Sequence, residues 1–362
     1  MMRILVATDA CEPQVNGVVT TYRRLAAELP AFGATLTFLT PDAFSAIPCP
    51  TYPEIALALP GRRTTDQSIR AAAPDAIHIA TEGPVGWSVR RWCRDNGVPF
   101  TTSFHTRFPE YISARFGLPE RWSYAALRAF HNAGQGIMVA APSLAAVLAE
   151  RGFKRILPWT RGVALAEFYP RPVRLFGEGP VFLYVGRVAI EKNLAEFLNL
   201  RLPGCKVIVG DGPQRAELEA RYPDVHFTGR LFGTDLAEAY ASADVFVFPS
   251  RTDTFGIVMI EAMATGLPIA AYPVTGPRDV VTDGVSGILS HDLAEACQRA
   301  LTLDRNVVRA AAGAYSWSNA AQQFLANIAT ATAARPERTF ARANRDAPPA
   351  RRGVWRRSTR LG

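Results

Sequence analysis

Arg187, Lys192, Asp253 and Glu261 fall in two short stretches about sixty residues apart. The first reads Tyr184-Val185-Gly186-Arg187-Val188-Ala189-Ile190-Glu191-Lys192-Asn193. The second runs from Pro249-Ser250-Arg251-Thr252-Asp253-Thr254-Phe255-Gly256 to Glu261-Ala262-Met263. One offers two cations where a strand ends, which suits a phosphate or diphosphate. The other offers an acid, a glycine that opens a helix, and a further acid inside that helix. Carboxylates so placed accept hydrogen bonds from sugar or ribose hydroxyls. The first-turn amides of Phe255, Gly256 and Ile257 can meet sugar oxygens or phosphate. Together these groups suit a sugar nucleotide. Each also has a plainer reading: solvated cations at a turn, a capping acid, a solvated helix face. Ile260, Ala262 and Met263 around Glu261 favour a cleft over open solvent.

Weaker candidates surround these four. His105, in Thr101-Thr102-Ser103-Phe104-His105-Thr106-Arg107, ends a predicted strand, which favours a cleft over a core-edge imidazole. His78 and His131 have no partners at metal-ligand spacing. Gly17, after Asn16, lets the backbone approach a ligand, and Asn-Gly is equally a good turn. Gly210-Asp211-Gly212-Pro213 reads as a turn for the same reason. The chain has no dinucleotide fingerprint after its first strand, no Gly-Lys-Ser/Thr phosphate loop and no Asp-x-Asp pair.

The elements that must position these residues alternate. Arg3–Ala7, Thr35–Leu39, Ala76–Ile79, Pro99–Ser103 and Gly136–Ala140 read as strands, with helices such as Val18–Leu29, Trp87–Asn96 and Trp122–Ala133 between them. A proline-punctuated stretch from Pro158 to Pro180 reads as a linker. The rhythm then restarts with strands Val181–Val185, Lys206–Val209, Val225–Phe227, Val245–Phe248 and Ile269–Ala271. Helices Leu236–Tyr240, Gly256–Ala264, Gly276–Val280 and Leu293–Leu303 accompany them. This pattern predicts an α/β protein of two Rossmann-like doubly wound domains facing across a cleft. Ligands in such sheets bind beyond the carboxyl ends of the strands. We assign 1–165 to the first domain, 166–180 to the linker, 181–315 to the second, 316–334 to a helix returning toward the first, and 335–362 to a tail.

Bulk properties fit this plan. A chain of 362 residues exceeds one ordinary core. No apolar run reaches the roughly 20 residues needed to span a bilayer, and the N-terminus is too short in apolar residues for a signal peptide. Five scattered cysteines suit a reducing cytoplasm. The net charge of +8 is concentrated after Ala334, where nine arginines face two acids and Trp355 sits among them. Such a tail cannot bury a core. It reads as solvated chain, or as a contact with the anionic inner face of the cytoplasmic membrane worth about 1 kcal/mol per cation. Nucleic acid finds no folded basic face to support it.

These residues resemble the retaining glycosyltransferases of the two-Rossmann (GT-B) kind, family 4, over residues 1 to about 330. Thr8-Asp9-Ala10 through Asn16-Gly17-Val18 is similar to the family's opening loop. Ser103 to Thr106 with Pro109-Glu110-Tyr111 is similar to the acceptor-side segment of its glycolipid-making members. Gly186-Arg187 with Glu191-Lys192-Asn193 resembles its diphosphate site, and Asp253 to Glu261 its paired-acid motif. The nearest members in feel are sulfoquinovosyl- or glucuronosyl-diacylglycerol synthases and bacterial α-mannosyltransferases.

The resemblance implies roles. Gly17 approaches the diphosphate, His105 touches the donor sugar, and Arg187 and Lys192 stabilise the leaving group. Asp253 binds sugar hydroxyls beside the Phe255, Gly256 and Ile257 amides, and Glu261 holds the ribose. Thr228, Gly229, Arg230 and Leu231 line the base. It implies a nucleotide-sugar donor, a lipid acceptor such as diacylglycerol, and no cofactor or metal. Two positions depart from the family pattern: Asp253 stands where Glu is usual, and Ala164 follows Arg161-Gly162-Val163 where Asp is usual. A GDP-mannose-dependent mannosyltransferase, a sugar-nucleotide epimerase or phosphorylase on the same plan, and a non-catalytic binder are the alternatives.

Overall fold

Val181-Phe182-Leu183-Tyr184-Val185 and Val245-Phe246-Val247-Phe248 are unbroken apolar runs, as strands covered on both faces must be. In the computed structural model, Val181, Leu183, Val185, Phe246 and Phe248 join one buried cluster, and Phe182, Tyr184, Val245 and Val247 join another on the opposite face. The structure describes residues 1–333, except 13, 15, 50, 51, 111, 112 and 114–116. Tyr111 and the Arg-rich tail therefore lie outside the described residues.

The first half carries β1 (Met2–Ala7), β2 (Ala34–Leu39), β3 (Ala46–Cys49), β4 (Tyr52–Ala58), β5 (Ala76–Ile79), β6 (Phe100–Ser103), β7 (Gly136–Val139) and β8 (Ile156–Pro158). Its helices are α1 (Gly17–Glu28), α2 (Arg62–Ala72), α3 (Pro84–Asp95), α4 (Glu120–His131) and α5 (Pro142–Glu150). The second half carries β9 (Val181–Val185), β10 (Cys205–Val209), β11 (His226–Gly229), β12 (Val245–Phe248), β13 (Ile269–Ala271) and β14 (Gly287–Leu289). Its helices are α6 (Leu194–Leu198), α7 (Arg215–Arg221), α8 (Gly233–Ala241), α9 (Ile257–Ala264), α10 (Pro277–Val280), α11 (Leu293–Ala300), α12 (Arg305–Ala312) and α13 (Trp317–Ala333). Among the described residues no helix is long and apolar enough to cross a membrane.

Two parallel sheets result, ordered β2-β1-β5-β6-β7-β8 and β11-β10-β9-β12-β13-β14, with β3 and β4 as a separate antiparallel pair. The strand order reverses between β1 and β5 in the first sheet and between β9 and β12 in the second. Crevices open at such switch points. Gly17 follows β1, Arg187 and Lys192 follow β9, and Asp253 to Glu261 follow β12.

The proline-punctuated stretch that begins at Pro158 is packed against the folded halves. Ile156–Pro158 pairs with β7 as an edge strand, and Trp159, Arg161, Val163 and Phe168 are buried. Trp159 joins the first half's core where α13 crosses back onto it, while Val163 and Phe168 join a cluster of the second half. Trp159 Nε1 donates to the Ala320 carbonyl at 3.0 Å, and Ala321, Phe324 and Ile328 pack with Ile4, Val6 and Tyr22. The three-residue strands β8 and β14 and the β3–β4 pair are absent from the sequence reading.

Candidate functional site

The loops after β9 and β12 are tied together before any ligand is considered. The turn Ile190–Lys192 ends at Asn193, which adopts a left-handed φ of 57° and donates from Nδ2 to the Pro249 carbonyl at 3.3 Å. Ser250 and Thr252 hydroxyls both donate to the Glu191 carbonyl. This brings the Lys192 ammonium to 2.5 Å from Asp253 Oδ1. Asp253 Oδ2 is buried and makes no hydrogen bond among the described residues. On the other loop, the Tyr184 hydroxyl donates to the Arg187 carbonyl at 2.9 Å. Gly186 and Gly210 back onto one another so closely that a Cβ at Gly210 would overlap the Gly186 carbonyl. The Gly210 segment is thus a packed support for the Arg187 loop, more than the surface turn expected from its sequence.

Helix α9 starts at Gly256, whose φ of 84° is costly for other residues, and a side chain there would also meet Met259 and Phe248. Phe255 turns its ring into the core against Tyr315. Glu261, one turn further along α9, accepts from the Tyr240 hydroxyl at 2.9 Å. Burial pushes its carboxyl up to about 7, against the opposing pull of Tyr240 and Arg24. Arg24 belongs to α1 and pairs with Glu167, so a cation of the first half stands near an acid of the second.

From the first half, Asn16 caps α1 by accepting from the Val18 and Val19 amides at 3.0 Å each. A Cβ at Gly17 would lie 3.7 Å from Ile257 Cδ1. The positive ends of α1 and α9 therefore converge at one place. Asp9 holds the opening loop by accepting from the Val85 and Gly86 amides at the start of α3. His105 lies across the cleft from Asp253: its carbonyl accepts from the Thr254 hydroxyl at 2.7 Å. Both its ring nitrogens are engaged, Nδ1 with Arg161 at 3.1 Å and Nε2 with the Tyr22 hydroxyl at 3.2 Å. Burial first, then Arg161, His78 and His131, hold this imidazole well below its usual range, so it is neutral.

Thr228, Gly229, Arg230 and Leu231 lie at the end of the edge strand β11, two strands from β9. Thr228 turns its hydroxyl onto the Gly229 carbonyl, and Leu231 packs against the core. In the acceptor-side segment, Glu110 Oε1 accepts from Arg107 and from the Tyr124 hydroxyl. The structure thus unites Lys192, Asp253, Gly256, Ile257, Gly17 and His105, while Thr228 to Leu231 stand further out. The sequence reading missed Tyr22, Arg161, Tyr240 and Thr254. Thr254 could have been found as the neighbour of Asp253, and Arg161 as a lone cation in an apolar run.

Comparison with known proteins adds to this geometry. Residues 179–303 match the model described as glycosyl transferases group 1, and residues 15–167 the model described as glycosyltransferase family 4. The chain is 31% identical over 317 residues to a GDP-mannose-dependent alpha-mannosyltransferase of Mycobacterium tuberculosis, covering 80% of this chain and 83% of the relative. It is 26% identical over 348 residues to an alpha-monoglucosyldiacylglycerol synthase of Streptococcus pneumoniae, covering 83% and 78%. Anabaena Alr3699/HepE, solved in complex with UDP-glucose, superposes with a TM-score of 0.69 at 16% identity, covering 91% of this chain and all of that one.

Proposed function

From the premise that this chain belongs to glycosyltransferase family 4, we propose that it moves a hexose from a nucleoside-diphosphate sugar to an acceptor hydroxyl, keeping the α configuration. The observation that carries this reading is the Lys192–Asp253 pair, with its second carboxylate oxygen buried and unpartnered among the described residues. A buried acceptor left unmade costs about 1–3 kcal/mol, and a sugar hydroxyl satisfies it. Lys192, Arg187 and the converging amides of α1 and α9 supply positive charge where a departing diphosphate develops negative charge. Each such donor contributes about 3 kcal/mol to the transition state. Asp253, paired with Lys192, serves as a binder, so attack comes from the leaving-group face and the departing phosphate takes the acceptor proton. Glu261 holds the ribose, and Thr228 to Leu231 line the base.

The acceptor we assign is a membrane lipid such as diacylglycerol, supported by the pneumococcal relative's name and by the Arg107–Glu110 segment. The tail after Ala334 then contacts anionic lipid. A GDP-mannose donor is the second reading, favoured by the mycobacterial relative's match across most of both chains.

The test incubates the full chain with UDP-glucose or GDP-mannose, each with and without dispersed diacylglycerol. Diphosphate release and the anomeric configuration of the product are read together. Release that rises with lipid and an α product are expected. A β product removes the retaining mechanism, indifference to lipid removes the acceptor, and intact donors in every arm remove the reading. Chain ending at Ala334 should bind anionic vesicles more weakly than the full chain, and equal binding removes the tail's role.

A further inference from the structure

Arg161 is 4% exposed, and the groups it touches are two carbonyls, an imidazole and an indole face. Its Nη1 donates to Trp159 O at 2.8 Å and Thr160 O at 3.0 Å, and its plane lies 4.1 Å from the Trp159 ring centroid. No carboxylate is among these contacts, although a buried cation is normally paired. Burial lowers this guanidinium only to about 10, so it remains charged at neutral pH. What it holds is a histidine of the candidate site.

A guanidinium has hydrogens to give and no lone pair to offer. The bond between Arg161 Nη2 and His105 Nδ1 therefore has one direction, and Nδ1 accepts. A neutral ring must then carry its proton on Nε2, which lies 3.2 Å from the Tyr22 oxygen. Tyr22, accepting there, has one proton of its own to give, to His78 Nε2 at 2.8 Å or Ser103 Oγ at 3.4 Å, and His78 Nδ1 lies 2.7 Å from Thr101 Oγ1. One fixed donor stands at the head of a network through His105, Tyr22 and His78, drawn from the loop after β6, α1 and β5. The titratable or charged groups facing His105 are Arg161, Tyr22 and His78, with His131 and its partner Glu82 behind.

We propose that Arg161 is a positioning residue for the transfer reaction: by donating to Nδ1 it locks His105 as the neutral Nε2–H tautomer, with its ring fixed at the edge of the cleft. This rests on the transferase reading of the site. A locked neutral ring adds no second charge beside the reacting sugar carbon and keeps one orientation throughout turnover. The ring and the carbonyl of His105 are then held from opposite sides, by Arg161 and by Thr254.

The experiment is two-bond 15N–1H spectroscopy of the full chain labelled in its five histidines, assigned by single substitutions, from about pH 5.5 to 8.5. His105 should show the Nε2–H tautomer throughout. In Arg161→Met the ring should titrate or mix tautomers, with kcat at least tenfold lower and donor KM within threefold. Arg161→Lys, which keeps a charged donor, should recover part of kcat. In Tyr22→Phe the tautomer should stay, because Arg161 still sets it. An Nδ1–H or titrating His105 in the unsubstituted chain overturns the proposal, as does a tautomer lost in Tyr22→Phe. So does folded Arg161→Met with unchanged tautomer and kcat. Failure of the chain to consume any donor would sink the transferase reading instead, and the spectra of the ligand-free protein would still decide the tautomer.

Discussion

The hydroxyl of Thr254 donates to the backbone carbonyl of His105 across the cleft, 2.7 Å apart. The bond joins the loop after β12 to the loop after β6, and Asp253 is the residue next to it. Cleft closure and the position of the acid are therefore linked. Thr254→Val keeps the shape and removes the donor. Turnover should fall about fivefold to tenfold, in line with roughly 1 kcal/mol for one hydrogen bond, while unfolding free energy moves by less than about 1 kcal/mol. Unchanged kcat/KM would show that the bond does not matter to the reaction.

Lys192 and Asp253 form one unit. Lys192→Ala should lower kcat at least tenfold, because it removes a cation from the leaving group and strands a buried carboxylate. Asp253→Asn should lower it as well, and the double variant should fall short of the summed losses, since the groups share one interaction. Arg187→Ala should match Lys192→Ala in size. Near-normal rates for both cationic variants would remove the diphosphate assignment.

Glu261 links stability to pH. Its carboxyl is raised from an ordinary 4.5 to about 7. Between those values the folded chain keeps a proton that the unfolded chain has lost, so Glu261's contribution to stability is greatest below 4.5 and declines as pH rises to about 7. Glu261→Gln cannot titrate, and its unfolding midpoint should therefore drop less between about pH 5 and pH 8 than that of the unsubstituted chain. Donor KM should also decrease as pH rises through about 7, because ribose hydroxyls donate to the carboxylate. A KM that ignores pH in both proteins would separate Glu261 from donor binding.

Gly210 is a steric requirement of the Arg187 loop. A Cβ there would overlap the Gly186 carbonyl, so Gly210→Ala must push β9 and β10 apart at their carboxyl ends. We expect a loss of about 1–3 kcal/mol in urea unfolding, together with weaker donor binding by calorimetry. Full stability and full affinity would mean that the two loops are free to separate.

The apolar runs determined much of this protein. Val181–Val185 and Val245–Phe248 are buried on both faces, which a run without polar alternation records directly, and Arg187, Lys192 and Asp253 lie in the loops beyond these strand ends. Short edge elements left little trace. Ile156–Pro158 and Gly287–Leu289 are three residues each, and pairing with a neighbouring strand defines them more than their composition does. Likewise nothing near Trp159 in sequence says that Phe324 will pack on its ring, because α13 arrives from more than 150 residues away. The partners of the site residues divide in the same way. Residue type and spacing determined that Lys192, Asp253, Glu261 and His105 could do chemistry. Only the tertiary structure decided that Lys192 meets Asp253, Tyr240 meets Glu261, and Arg161 and Thr254 hold His105. Hydrogen bonds act over about 3 Å, and folding alone brings residues so distant along the chain within that reach.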